Sequence, residues 1–122
     1  MADVNYTING QVAKGALSQS FAASGVTADM NTTGMIALTL NLGTATQAIS
    51  TASLSSVGIA FARSLATTGT HTVSFGRLDG TTLYEAVTLR AGEAAVMRLA
   101  AGDYGAKAVV ANSRLVISIY EG

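Results

Sequence analysis

The chain has 122 residues, half of them apolar, no cysteine, no proline, and seven acidic against seven basic side chains. That balance gives no electrostatic hold on nucleic acid or an anionic membrane, and the missing cysteines exclude a disulfide framework and a thiolate metal site. Charged residues make up only 11%, against roughly 25% in an ordinary domain, so the outward positions fall to Thr, Ser, Ala and Asn. Such a surface lacks the devices that keep β proteins apart and reads as a subunit made to sit against other protein. The length suits one domain over residues 1–122, with 22 alanines thinning its supply of large core side chains. No apolar run is long enough to span a bilayer as a helix. Met1-Ala2-Asp3-Val4-Asn5 lacks the basic and apolar regions of a signal peptide, so synthesis in a reducing cytoplasm is expected.

Apolar residues recur with period two almost throughout, which predicts strands. Val4, Tyr6, Ile8 and Val12 share one face of a first strand, with Asn5, Thr7 and Asn9 opposite. Residues 1–12 therefore read as a first strand or an N-terminal interaction arm. Weaker strands are expected at 17–22 and 26–31. Ile36, Leu38, Leu40 and Leu42 alternate with Ala37, Thr39 and Asn41, and Gly34 and Gly43 bound that segment. The Thr/Ser/Ala stretch 44–56 reads as a short strand near 46–50 plus a loop. Val57, Ile59 and Phe61 form the next strand, followed by Val73 and Phe75, and then by 82–89, 94–100 and 106–111. The 94–100 window also fits a helix, but it is short and flanked by glycine, so a strand is expected. Leu115, Ile117 and Ile119 alternate with Val116, Ser118 and Tyr120, a last strand apolar on both faces and hence covered on both. Turns are expected at Asn9-Gly10, Ser24-Gly25, Asp79-Gly80, Ala91-Gly92 and Gly102-Asp103. Short strands at such intervals indicate an all-β antiparallel sandwich or barrel.

Little in the chain points to catalysis. His71 is the only histidine, and its neighbours Thr70 and Thr72 offer no carboxylate to orient it. No serine lies in a Gly-x-Ser-x-Gly setting, and no glycine pattern makes a phosphate cradle. The acids Asp3, Asp29, Asp79, Glu85, Glu93, Asp103 and Glu121 show no metal-ligand spacing, and Asp79 and Asp103 read as turn residues. Tyr6, Tyr84, Tyr104 and Tyr120 suit core-edge positions with hydroxyls reaching water; gathered on one surface they would form a carbohydrate platform. A non-enzymatic protein without cofactor or metal is expected.

From residue 57 onward the motifs become specific. Gly58-Ile59-Ala60-Phe61-Ala62-Arg63-Ser64-Leu65 is followed by His71-Thr72-Val73-Ser74-Phe75-Gly76. Val87-Thr88-Leu89-Arg90-Ala91-Gly92-Glu93 then leads into an apolar strand, and Leu115-Val116-Ile117-Ser118-Ile119-Tyr120-Glu121 closes the chain. This half resembles small structural proteins of tailed bacteriophages, among them the capsid decoration (cement) proteins. The resemblance implies a jelly-roll or β-sandwich virion component that binds as a homotrimer to the major capsid protein and fastens the head shell. It departs from the usual Leu-x-Pro-Gly-Glu turn at Ala91, where Gly92 is left to supply the positive φ. The contacts with neighbours are expected from the segments with weakest core signal, at Asp3, Val4, Asn5 and Tyr6 and at Thr46, Gln47 and Ile49. The competing expectation is a receptor- or glycan-binding module of a tail or head fibre, built around Tyr84 or Tyr104.

Overall fold

The computed structural model describes residues 3–122, and every regular element in them is a β-strand. In chain order these are β1 (Val4–Lys14), β2 (Leu17–Ala28), β3 (Met35–Leu42), β4 (Gln47–Ile49), β5 (Val57–Ser64), β6 (Val73–Asp79), β7 (Thr82–Leu89), β8 (Ala94–Arg98), β9 (Tyr104–Ala108) and β10 (Ser113–Glu121). All pairings are antiparallel. The chain divides into two compact units, a first that ends at Asn31 and a second that runs from Thr32 to Gly122.

The first unit is a two-stranded ribbon of β1 and β2. Its turn is Gly15-Ala16, with Lys14 opposite Leu17 and a positive φ of 57° at Gly15, which suits glycine at the first position of a tight hairpin loop. The turn expected at Asn9-Gly10 does not form; both residues pair in mid-strand with Ala22 and Phe21. Cross-strand pairing of the flanking residues overrides the local preference of Asn-Gly there. Ser24-Gly25 is likewise no turn, so the segments expected at 17–22 and 26–31 run together as one strand, which stops at Ala28 and leaves 29–31 outside it. The register shifts between Tyr6 and Ile8, with an extra residue on β2 and Gly25 at a φ of 63°. This is a β-bulge of the kind that needs a left-handed glycine. The Gly25 N–H donates to Thr7 Oγ1 at 3.2 Å, and the Asp3 carboxylate accepts the Met30 N–H at 2.9 Å at the base of the ribbon.

The second unit is a sandwich of two four-stranded sheets, ordered β3-β10-β5-β8 and β4-β9-β6-β7. One core cluster joins their inner faces. Leu40, Leu42, Leu115, Ile117 and Ile119 come from one sheet, and Ile49, Val73, Phe75, Leu89 and Tyr104 from the other. Each fully buried large side chain of this kind contributes about 1.5–3 kcal/mol. The alternation along β10 is carried through to Glu121, so that Ser113, Leu115, Ile117, Ile119 and Glu121 are buried and the residues between are half-buried or exposed. Phe75 and Tyr104 stack with rings 5.5 Å apart, and Phe61 meets Tyr120 edge-on at 5.9 Å on the other face of the first sheet.

Turn chemistry follows the glycines. Gly80, with a φ of 62°, starts the two-residue loop between Asp79 and Thr82, and Gly92, at 77°, turns the chain between β7 and β8. The second turn forms without proline. The Glu93 N–H donates to the Arg90 carbonyl at 3.0 Å, while the Glu93 carboxylate accepts the Arg90 N–H at 2.6 Å. Residues 94–98 are strand, paired with β5, and not helix. The stretch 44–56 contains β4 and the loop behind it. Among the described residues no helix is long and apolar enough to cross a membrane.

Candidate functional site: an apolar ribbon face and a polar cleft

The register of the ribbon sorts its side chains by chemistry. Val4, Tyr6, Ile8, Gly10, Val12 and Lys14 lie opposite Ala28, Val26, Ala23, Phe21, Gln19 and Leu17. Opposed residues share a face, so this face is apolar apart from Lys14, Gln19 and the bare Gly10. The other face carries Asn5, Thr7, Asn9, Gln11 and Ala13 against Thr27, Ala22, Ser20 and Ser18. Near the base the apolar side chains are half-buried, whereas toward the turn Val12, Leu17 and Phe21 are 54%, 53% and 63% exposed. No residue of β1 or β2 is fully buried. A lone two-stranded ribbon is marginal in water, and the apolar side chains toward this ribbon's turn are left exposed.

This places the expected contact residues. Val4 and Tyr6 belong to the apolar face and Asn5 to the polar one, while Asp3 closes the base. Thr46 and Gln47 are exposed in the second unit, but Ile49 is in the core opposite Tyr104. Ile49 thus presents no side chain to a neighbour; β4 pairing with β9 turns it inward. Leu17 and Phe21 are additions. Their shared face with Val12 is not legible in the sequence, because it depends on the turn at Gly15-Ala16 and the bulge at Gly25.

The second candidate is an open cleft at the β6–β7 turn, lined by Arg77, Asp79, Gly80, Tyr84, Glu85 and Asp103. Arg77 and Tyr84 are cross-strand partners, and the Arg77 guanidinium lies flat over Gly102, where a Cβ would come within 2.8–2.9 Å of it. The Asp103 carbonyl accepts the Leu78 N–H at 2.9 Å, fixing the loop that brings Asp103 to the cleft. Glu85 forms an ion pair with Lys107 at 3.1 Å, half in water, the kind that contributes only about 0–1 kcal/mol. These groups offer a shallow, solvated, mixed-charge surface. Tyr84 stands exposed within it. Tyr104 does not join it: that residue is 5% exposed, stacked on Phe75, with its hydroxyl donating to the Ala100 carbonyl. Tyr104 is therefore a core residue, and neither a platform nor a core-edge side chain with a wet hydroxyl.

His71 lies in the loop between β5 and β6, where its backbone N–H closes a turn onto the Thr68 carbonyl at 2.9 Å. Glu121 is the one acidic side chain buried among the described residues. Its carboxylate accepts the Ser55 hydroxyl, its Oε2 packs onto Gly34, and its N–H donates to the Gly34 carbonyl at 3.0 Å. Glu121 ties the last strand to the loop before β5. Among the described residues no cluster of three or more His, Cys, Asp or Glu side chains could hold a metal ion.

No family model, curated protein or solved structure matches the chain.

Proposed function

We propose that this chain is a non-enzymatic structural subunit of a virion, and specifically a capsid decoration protein of a tailed bacteriophage. In this reading it is made in the host cytoplasm and ends on the outer surface of the head. It acts there as a homotrimer bound to the major capsid protein and uses neither cofactor nor nucleic acid. The observation that carries the reading is the pairing of a closed, well-filled sandwich with a ribbon that has an apolar face and no core. The sandwich supplies a stable body, and the ribbon supplies a surface whose burial awaits other protein. The motif resemblance over the second half of the chain supplies the virion context. We read the sandwich as a jelly roll, supported by eight strands in two four-stranded sheets, with the chain passing from one sheet to the other at all but one connection. A sparsely charged surface suits repeated weak contacts, which a lattice multiplies.

The test is co-sedimentation with decoration-free heads of the phage that encodes the chain. Saturable binding that raises the heads' resistance to heat is expected, and removal of residues 1–5 abolishes it while the sandwich stays folded. Undiminished binding by the truncated chain would sink the assignment of the arm. A second reading, a glycan-binding module, is favoured by exposed Tyr84 beside Arg77, Asp79 and Asp103. A glycan array separates the two, since a decoration protein leaves it blank.

A further inference from the structure

Four strands border the sandwich, and three carry a feature that discourages edge-to-edge pairing. β4 is three residues long, and β8 is five and ends in Arg98. β7 bears Glu85 and sits against a register shift at Phe75/Gly76. β3 has none of these. Its eight residues contain no charge and no proline, and they pair with β10 in one unbroken register. Its inward row also runs out of cover, for Leu42 and Leu40 are buried while Leu38 and Ile36 are only half-buried against the core. An added strand with its apolar side facing the same way would extend the sheet and cover that row.

The ribbon contains such a strand. On the side of β1 away from β2, the stretch from Ile8 to Ala13 has no charge and no register shift, whereas β2 is interrupted by the Gly25 bulge. With seven acids and seven bases the chain is neutral, so copies meet without net repulsion. We propose that β1 of one copy adds to the β3 edge of a second copy, making that sheet six-stranded in the order β2-β1-β3-β10-β5-β8. Main-chain hydrogen bonds hold the junction. The apolar ribbon face falls on the same side as Ile36 and Leu38. Six paired residues span only ~20 Å of edge, and a single junction is smaller than a standard interface. Each copy, however, donates one ribbon and offers one edge, so a closed ring buries two junctions per subunit.

Light scattering from micromolar to millimolar concentration reads the association, and a mass that rises to a closed oligomer is expected. Ala37→Lys, an exposed change on β3, weakens association at least tenfold with an unaltered circular dichroism spectrum. Thr82→Lys, on the edge already guarded by Glu85, leaves it unchanged. Because the chain has no cysteine, single thiols identify the contact. Gln11→Cys and Thr39→Cys chains, one carrying a size tag, are mixed and treated with a short flexible bis-maleimide. The mixed cross-link is expected over either homodimer. Homodimers alone, or a monomer at every concentration, overturn the proposal. It stands apart from the virion reading: head binding tests the role, and mass and cross-linking test the pairing.

Discussion

Phe21 and Phe75 are the same side chain in the same kind of antiparallel strand, yet the first is 63% exposed and the second 2%. Both sit among alternating apolar and small polar residues. What separates them is a second layer. Phe75 stacks on Tyr104 within one sheet and meets the residues of the other across the core, whereas Phe21 lies on a ribbon of two strands. Alternation makes a face; only an opposing face makes a core. The sandwich is therefore where stability resides, and the ribbon's apolar face toward its turn stays exposed.

Substitutions test that contrast most sharply at the sandwich end. Phe75→Ala lowers the unfolding free energy by about 3–5 kcal/mol, measured by urea denaturation; a loss below about 1 kcal/mol would mean that the core is not the cooperative unit described. Gly76→Ala follows closely. A Cβ there would come 1.8 Å from the Tyr84 carbonyl oxygen at the β6–β7 bulge, so a cost near the top of the roughly 1–3 kcal/mol range for overpacking is expected, or failure to fold. Glu121→Ala removes the acceptor for Ser55 and costs about 1–3 kcal/mol, while Glu121→Gln recovers part of it in the same assay. Gly92→Ala, forced to hold a positive φ, loses about 1 kcal/mol. The smallest effect belongs to Phe21→Ala, which shifts the sandwich's unfolding by less than about 0.5 kcal/mol. A large loss there would erase the distinction between the two regions.

Much of the sandwich is legible in the letters because strands such as β3 and β10 keep one phase. Ile36 to Leu42 and Leu115 to Ile119 alternate without interruption, and Asp79-Gly80 and Ala91-Gly92 turn the chain where their dipeptides suggest. Glu121 continues the same parity, so its burial follows from the row it ends. The ribbon is harder to read for a physical reason. The bulge adds one residue to β2, so odd-numbered Leu17 and Phe21 share a face with even-numbered Val26 and Ala28. A strict period of two places them on opposite sides. A left-handed glycine serves a bulge as well as a turn, and so Ser24-Gly25 resembles a chain reversal that is not there. The cleft is half legible, since Asp79 and Asp103 both read as turn residues; the pairing of β6 with β9, extended by the Leu78 N–H bond to the Asp103 carbonyl, brings the two loops together. The burial of Ile49 is not legible, because one isoleucine in a Thr/Ser-rich stretch carries no periodicity and its burial depends on pairing with a distant strand.

The bond from the Glu121 N–H to the Gly34 carbonyl has a consequence for connectivity. It sets the beginning and the end of the sandwich side by side, so this unit is nearly a closed loop of chain. A circular permutant that joins Gly122 to Thr33 through a short glycine-rich linker and opens between Gly80 and Thr81 keeps every ladder of both sheets. The order in which the strands are made is then separable from the body they build.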